Sequence, residues 1–107
     1  MLKAACWMAG ALLMAALSAQ GADGGHTVAI SKFAFQPKEL TVAPGAKVVW
    51  VNQDETPHTV TSRSKAFASK ALDTDDKFEH VFEAEGDYPY YCVVHPFMGG
   101  VIHVRKP

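Results

Sequence analysis

From residue 27 onward, polar and apolar positions alternate with a period of two. Val28 and Ile30 stand between Thr27, Ala29 and Ser31, and Phe33 and Phe35 continue the apolar face. Leu40 and Val42 alternate with Glu39 and Thr41. Phe78, His80 and Phe82 alternate with Glu79, Val81 and Glu83, and Tyr88, Tyr90 and Cys92 share one face of a later segment. Such alternation predicts strands with one face in a core. Residues 47–51 form a β-branched and aromatic run, predicted as a strand buried on both faces. Residues 59–62 and 101–104 read as two further strands. Pro44-Gly45 and Gly86 mark turns. Pro89 belongs at a sheet edge or among a strand's first residues, because it has no N–H to give to a ladder. Residues 63–76 mix Lys, Ser, Ala and Asp and leave room for a short helix. No stretch after residue 26 keeps a helical period. Seven or eight short strands separated by turns predict an all-β chain, an antiparallel sandwich or barrel.

The first residues follow a different pattern. Met1-Leu2-Lys3 gives a short positive start, residues 4–20 carry no charge, and Ser18-Ala19-Gln20-Gly21-Ala22 is small and polar. This is the layout of a secretory signal peptide, cleaved after Ala19 or Gly21. A membrane anchor is the alternative, but the apolar stretch falls short of the roughly 20 residues that a spanning helix needs. Residues 1–21 are therefore expected to be removed on export to the periplasm. Residues 22–107 form one domain, with 20–26 as a loose leader and no membrane insertion.

Composition changes the picture once that segment is set aside. With 49% apolar residues, 20% charged residues and a formal net charge of −1, the chain is globular. It lacks the basic excess of a nucleic-acid binder. Of two cysteines and four methionines, the mature chain keeps Cys92 and Met98. A single thiol forms no internal disulfide, and in an exported protein it needs an occupant.

The segment Cys92-Val93-Val94-His95-Pro96-Phe97-Met98 sets a thiolate, an imidazole and a thioether at C-x2-H-x2-M spacing. A strand ending at Cys92 and running into a tight loop can bring all three side chains to one point. His58, which follows Pro57 in a loop beside a strand, is the best candidate for a fourth ligand. Two imidazoles, one thiolate and a weak axial thioether select copper in an electron-transfer site. Zinc prefers more cysteines, or carboxylates with histidine. Haem attachment needs C-x-x-C-H, and iron–sulfur clusters need several cysteines. His80 reads as a hydrogen-bonded core residue, and His26 and His103 are not expected to be ligands.

Taken together, these motifs resemble the cupredoxins, and within them the amicyanin branch of the plastocyanin-like family. The resemblance spans residues 27–104. It rests on Phe35-Gln36-Pro37 with Leu40-Thr41-Val42, on Gly45 before Val48-Val49-Trp50-Val51-Asn52, and on Pro57-His58-Thr59-Val60. It rests also on Gly86-Asp87-Tyr88-Pro89-Tyr90-Tyr91-Cys92 and on His95-Pro96-Phe97-Met98. The short ligand loop is the amicyanin pattern; plastocyanins and azurins space their cysteine and methionine further apart.

The resemblance implies a Greek-key β-sandwich with copper at one end. His58, Cys92 and His95 would be equatorial ligands and Met98 axial. It also implies a monomeric, non-enzymatic shuttle of single electrons. Its donor and acceptor proteins, such as a dehydrogenase and a c-type cytochrome, would dock at an apolar patch of Pro57, His95, Pro96 and Phe97. The rival reading is a periplasmic copper carrier or storage protein, which would offer more methionines. Two positions depart from the family pattern. Thr59 stands where asparagine is common, which questions the side-chain bracing there, and Val94 stands where amicyanins often have proline.

Overall fold

The computed structural model describes residues 25–107. The expected signal segment and its cleavage site lie outside them. Eight strands follow one another: β1 (Gly25–Ser31), β2 (Ala34–Gln36), β3 (Glu39–Val42), β4 (Ala46–Asn52), β5 (Thr61–Ser62), β6 (Lys77–Phe82), β7 (Gly86–Tyr91) and β8 (Gly99–Val104). They form two four-stranded sheets in the orders β2-β1-β4-β6 and β3-β8-β7-β5. The protein is an all-β sandwich, as the alternation predicts, but it is not purely antiparallel. β1 pairs with β4 in parallel, and β3 pairs with β8 in parallel. A two-residue period reports which face is buried and carries no information about strand direction.

Several local expectations are corrected. Gly25 and His26 belong to β1 and pair with Lys47 and Val48, so the strand starts inside the expected leader. β4 is not buried on both faces: Ala46, Val48, Trp50 and Asn52 are buried, while Lys47 is exposed and Val49 and Val51 are half-buried. Phe33 leaves the strand face altogether and sits exposed in the turn between β1 and β2. Of residues 59–62, Thr61 and Ser62 form β5. Residues 63–76 hold no helix. They fold back through isolated bridges, Ala68 to Thr61 and Leu72 to His58. Pro89 pairs across from Val101 on β8. Its other side faces the point where β5 has ended, so the missing N–H breaks no ladder, and its carbonyl accepts from Arg63 N–H at 3.0 Å.

The core lies between the sheets. Val28, Ile30, Val48, Trp50 and Phe82 meet Val42, Tyr90, Ile102 and Val104 there, all nearly or fully buried. Trp50 is the pin. Its ring lies 5.4–6.3 Å, centroid to centroid, from Phe67, Phe78, Phe82 and Tyr90. Removing an indole of this size from water contributes about 5 kcal/mol. That exceeds any single polar contact in the molecule, so the aromatic cluster fixes how the sheets face each other.

Three connections then gather at one end: the β1–β2 turn, the loop after β4 and the loop between β7 and β8. Ile30 pairs with Asn52 in one sheet, and Tyr91 pairs with both Thr61 and Gly99 in the other, so the strand ends are level within each sheet.

Candidate metal centre

Three of the expected ligands converge at that end. A ligand atom from each of His58, Cys92 and His95 lies within 4.8 Å of the others. The Cys92 Sγ is 3.8 Å from His58 Nδ1 and 3.7 Å from His95 Nδ1. Two donors bound at about 2.0 and 2.3 Å to one ion, at a trigonal angle, would be about 3.7 Å apart. The donor set therefore fits a metal in both chemistry and spacing. Cys92 and His58 are fully buried and Met98 nearly so. His95 is half-buried.

The ligand loop is built from two successive turns. His95 N–H donates to the Cys92 carbonyl at 3.2 Å, and Met98 N–H donates to the His95 carbonyl at 2.9 Å. Cys92 N–H closes the loop on the Met98 carbonyl at 3.2 Å. Each x2 spacer thus spans one turn and returns a donor to the same side. The loop closes in this way with Val94 exposed in the position before His95.

The departure at Thr59 does not remove the bracing. Thr59 N–H donates to Cys92 Sγ at 3.3 Å, and Thr59 Oγ1 accepts from Val93 N–H at 2.8 Å. A hydroxyl supplies the acceptor that ties the two loops together. Thr59 Oγ1 also meets Thr61 Oγ1 at 3.0 Å.

His58 is oriented by a residue that the sequence reading missed. Its Nε2 lies 2.8 Å from Asp54 Oδ2. Burial works against the Asp54 charge. The N–H groups of Phe33 and Lys32, together with His58, outweigh it and hold the carboxyl below its ordinary range. An ionised carboxylate accepts, so His58 Nε2 carries the proton and Nδ1 is left free to bind a metal. Asp54 is itself positioned by Asn52, whose Oδ1 accepts Asp54 N–H at 2.9 Å. Asn52 Nδ2 donates to the carbonyls of Thr56 and Leu72 at 3.0 and 2.8 Å. A carboxylate four residues before a candidate histidine, in one loop, is the signal that could have pointed to this pair.

The other histidines stand apart from the cluster. His80 is half-buried and packs on Phe67 and Phe82 at 4.8 and 4.7 Å, so among the described residues ring contacts hold it rather than the expected hydrogen bond. Burial lowers its pKa. His26 lies in β1, and His103 lies between two carboxylates on the outer face of β8.

A family model for the cupredoxin-like domain matches residues 4–104. The chain belongs to the cupredoxin-like family. It is 36% identical over 102 residues to amicyanin-alpha of Methylorubrum extorquens, covering 89% of this chain and 86% of that one. It is 33% identical over 93 residues to the amicyanin of Paracoccus denitrificans, covering 82% and 71%. Among solved structures, a copper(I) form of an amicyanin variant superposes with a TM-score of 0.73 at 30% identity, covering 78% and 84%. This cupredoxin is amicyanin-like, and its donor set is that of a type 1 copper site.

Proposed function

We propose that this cupredoxin is a periplasmic shuttle of single electrons. His58, Cys92 and His95 are its equatorial copper ligands and Met98 its axial one. One observation carries the reading: two imidazole Nδ1 atoms face one buried sulfur, while the second histidine also reaches the surface. Bound copper would supply the one-electron change between Cu(II) and Cu(I). The chain's own part is to hold the donors still. Asp54 fixes the His58 ring, Thr59 N–H stabilises charge on the Cys92 sulfur, and the two turns fix His95 and Met98. A geometry held by the scaffold requires little rearrangement between charge states.

Exposed apolar residues beyond the four expected ones support a docking surface at this end. Phe97 is 74% exposed, and Pro57, Pro96, Val93 and Val94 are exposed with it. An apolar face of this kind suits brief encounters with a donor and an acceptor, and it supports reading the mature chain, residues 22–107, as a monomer between partners. A chain with one methionine among its described residues gives little support to the carrier or storage alternative.

Copper(II) titrated into the mature apoprotein is the test. The expected result is an intense thiolate-to-copper visible band with a type 1 EPR signal, both absent in Cys92→Ser, and self-exchange of electrons faster than exchange of metal. A band that survives in Cys92→Ser would overturn the ligand set. Metal exchange that outpaces electron exchange would favour the carrier.

A further inference from the structure

Phe33 is an unusual residue in this fold. It has a bulky side chain with a backbone φ of +57°, and Lys32 before it has +55°. Left-handed backbone is unfavourable for such residues and persists where the surroundings impose it. Here Asp54 imposes it. Lys32 N–H donates to Asp54 Oδ1 at 2.7 Å, and Phe33 N–H donates to Asp54 Oδ2 at 2.9 Å. Two adjacent N–H groups thus form a nest around one carboxylate. The oxygen that holds Phe33 also holds His58 Nε2.

The ring of Phe33 is the other half of the device. Its centroid lies 5.1 Å from that of His58 and 5.0 Å from that of His95, nearly perpendicular to both, at 87° and 82°. The two imidazoles are themselves 5.1 Å apart. The three rings form an almost equilateral triangle, each edge on to the next. Phe33 is 40% exposed, so burial in the core is not what holds it in a strained conformation.

We propose that Phe33 is a positioning residue for the metal-binding histidines, which rests on the reading of His58 and His95 as ligands. The Asp54 carboxylate pins it in its left-handed turn, and its ring stops His95 from swinging outward. The half-buried histidine comes from a loop and, among the described residues, has no hydrogen bond on its outer nitrogen comparable to that between His58 and Asp54. Packing against Phe33 takes the place of that bond. The residue therefore controls how long the metal is retained, as well as adding apolar surface to the docking face.

The test compares wild type with Phe33→Ala, Phe33→Gly and Phe33→Tyr at one neutral pH. Ala removes the ring and keeps the strained backbone, Gly removes both, and Tyr keeps the ring. The first readout is transfer of Cu(I) to bathocuproine disulfonate, a ligand exchange in which no electron moves. Loss of two edge-to-face contacts is expected to speed it about tenfold in the Ala and Gly variants. Phe33→Tyr should keep the wild-type rate. The second readout needs no metal. In the wild-type apoprotein the His95 ring protons should show cross-relaxation with Phe33 and His58, and in Phe33→Ala the contact with His58 should be lost. Release rates within twofold of wild type in Ala and Gly, with the His95–His58 contact intact, would overturn the proposal. Failure of the ligand reading would look different, because wild type would then bind no copper at Cys92.

Discussion

At the residue scale, the hydrogen bonds at Thr59 tie the His58 loop to the Cys92 loop. Its N–H points at the sulfur and its hydroxyl accepts from Val93. Thr59→Val keeps the shape and the N–H but removes the acceptor, leaving the Val93 N–H without its partner. A loss of about 1–2 kcal/mol in unfolding free energy is expected from denaturant titration, and Thr59→Ser should recover most of it. The same scale shows what could be read in advance. Cys92, His95 and Met98 are legible because soft ligands at a fixed spacing are rare in a short chain, and His58 is legible from its place after a loop proline. Asp54 and Phe33 are not. An aspartate in a polar loop looks like any solvated turn residue. An aromatic two positions before Phe35 looks like one more member of an alternating face. What removes Phe33 from that face is a left-handed turn imposed by a carboxylate 21 residues further along.

At the scale of elements, β8 and its neighbours support two predictions. The first concerns Gly100, which lies opposite Tyr90 in the β7–β8 pair. A Cβ there would come 2.5 Å from the Tyr90 hydroxyl and 2.9 Å from the Lys38 carbonyl. Neither can easily give way: Tyr90 is buried and its ring is packed against Phe35 and Trp50, and the second atom is backbone. Burial also pushes the Tyr90 phenol up to about 12, offset in part by the Trp50 N–H beside it. Gly100→Ala should therefore cost about 1–3 kcal/mol by overpacking, read as a lower melting temperature.

The second concerns a clamp across β3, β8 and β7. His103 Nδ1 meets Asp87 Oδ1 at 2.7 Å, and its Nε2 meets Glu39 Oε1 at 2.9 Å. Hydrogen bonds to Asp87 and then Glu39 raise the His103 pKa. Those from His103 and then Arg105 lower that of Asp87. The raised histidine adds stability that is complete below its unfolded value, about 6.5, and lost as pH rises through the folded value. The lowered aspartate adds stability that is present above about 4 and lost as pH falls through its own folded value. The clamp should contribute most between about pH 4 and 6.5. His103→Gln should flatten the melting-temperature profile across that window. An unchanged profile would show that the exposed pairs contribute nothing.

At the scale of the whole molecule, the sandwich and the site are separable. The alternating pattern makes the strands and their inner faces legible. The parallel pairings of β1 with β4 and β3 with β8 are not, because they join strands far apart in the chain and a two-residue period carries no strand direction. Since the donors are held by hydrogen bonds to the scaffold, removing copper should leave the fold standing. The apoprotein is expected to keep its β-sheet circular dichroism and to melt cooperatively at a lower temperature. The gap should grow with the logarithm of added metal, as binding to the native state alone requires. Loss of the cooperative transition in the apoprotein would show that the metal, and not the sandwich, organises this end.

The closed ligand loop has a further consequence, for how such a protein can diversify. Three of the four proposed donors lie within seven consecutive residues, and the first and last of these are tied by the Cys92–Met98 backbone bond. The cassette has one entrance and one exit, side by side between β7 and β8. Insertions, deletions and exchanges between those two points alter the spacing and orientation of three donors while every core strand keeps its register. Loops at the ends of a rigid sandwich accept such changes readily. A lineage can therefore retune or recolour its centre by editing one short stretch of coding sequence, leaving the structural gene for the sandwich as inherited.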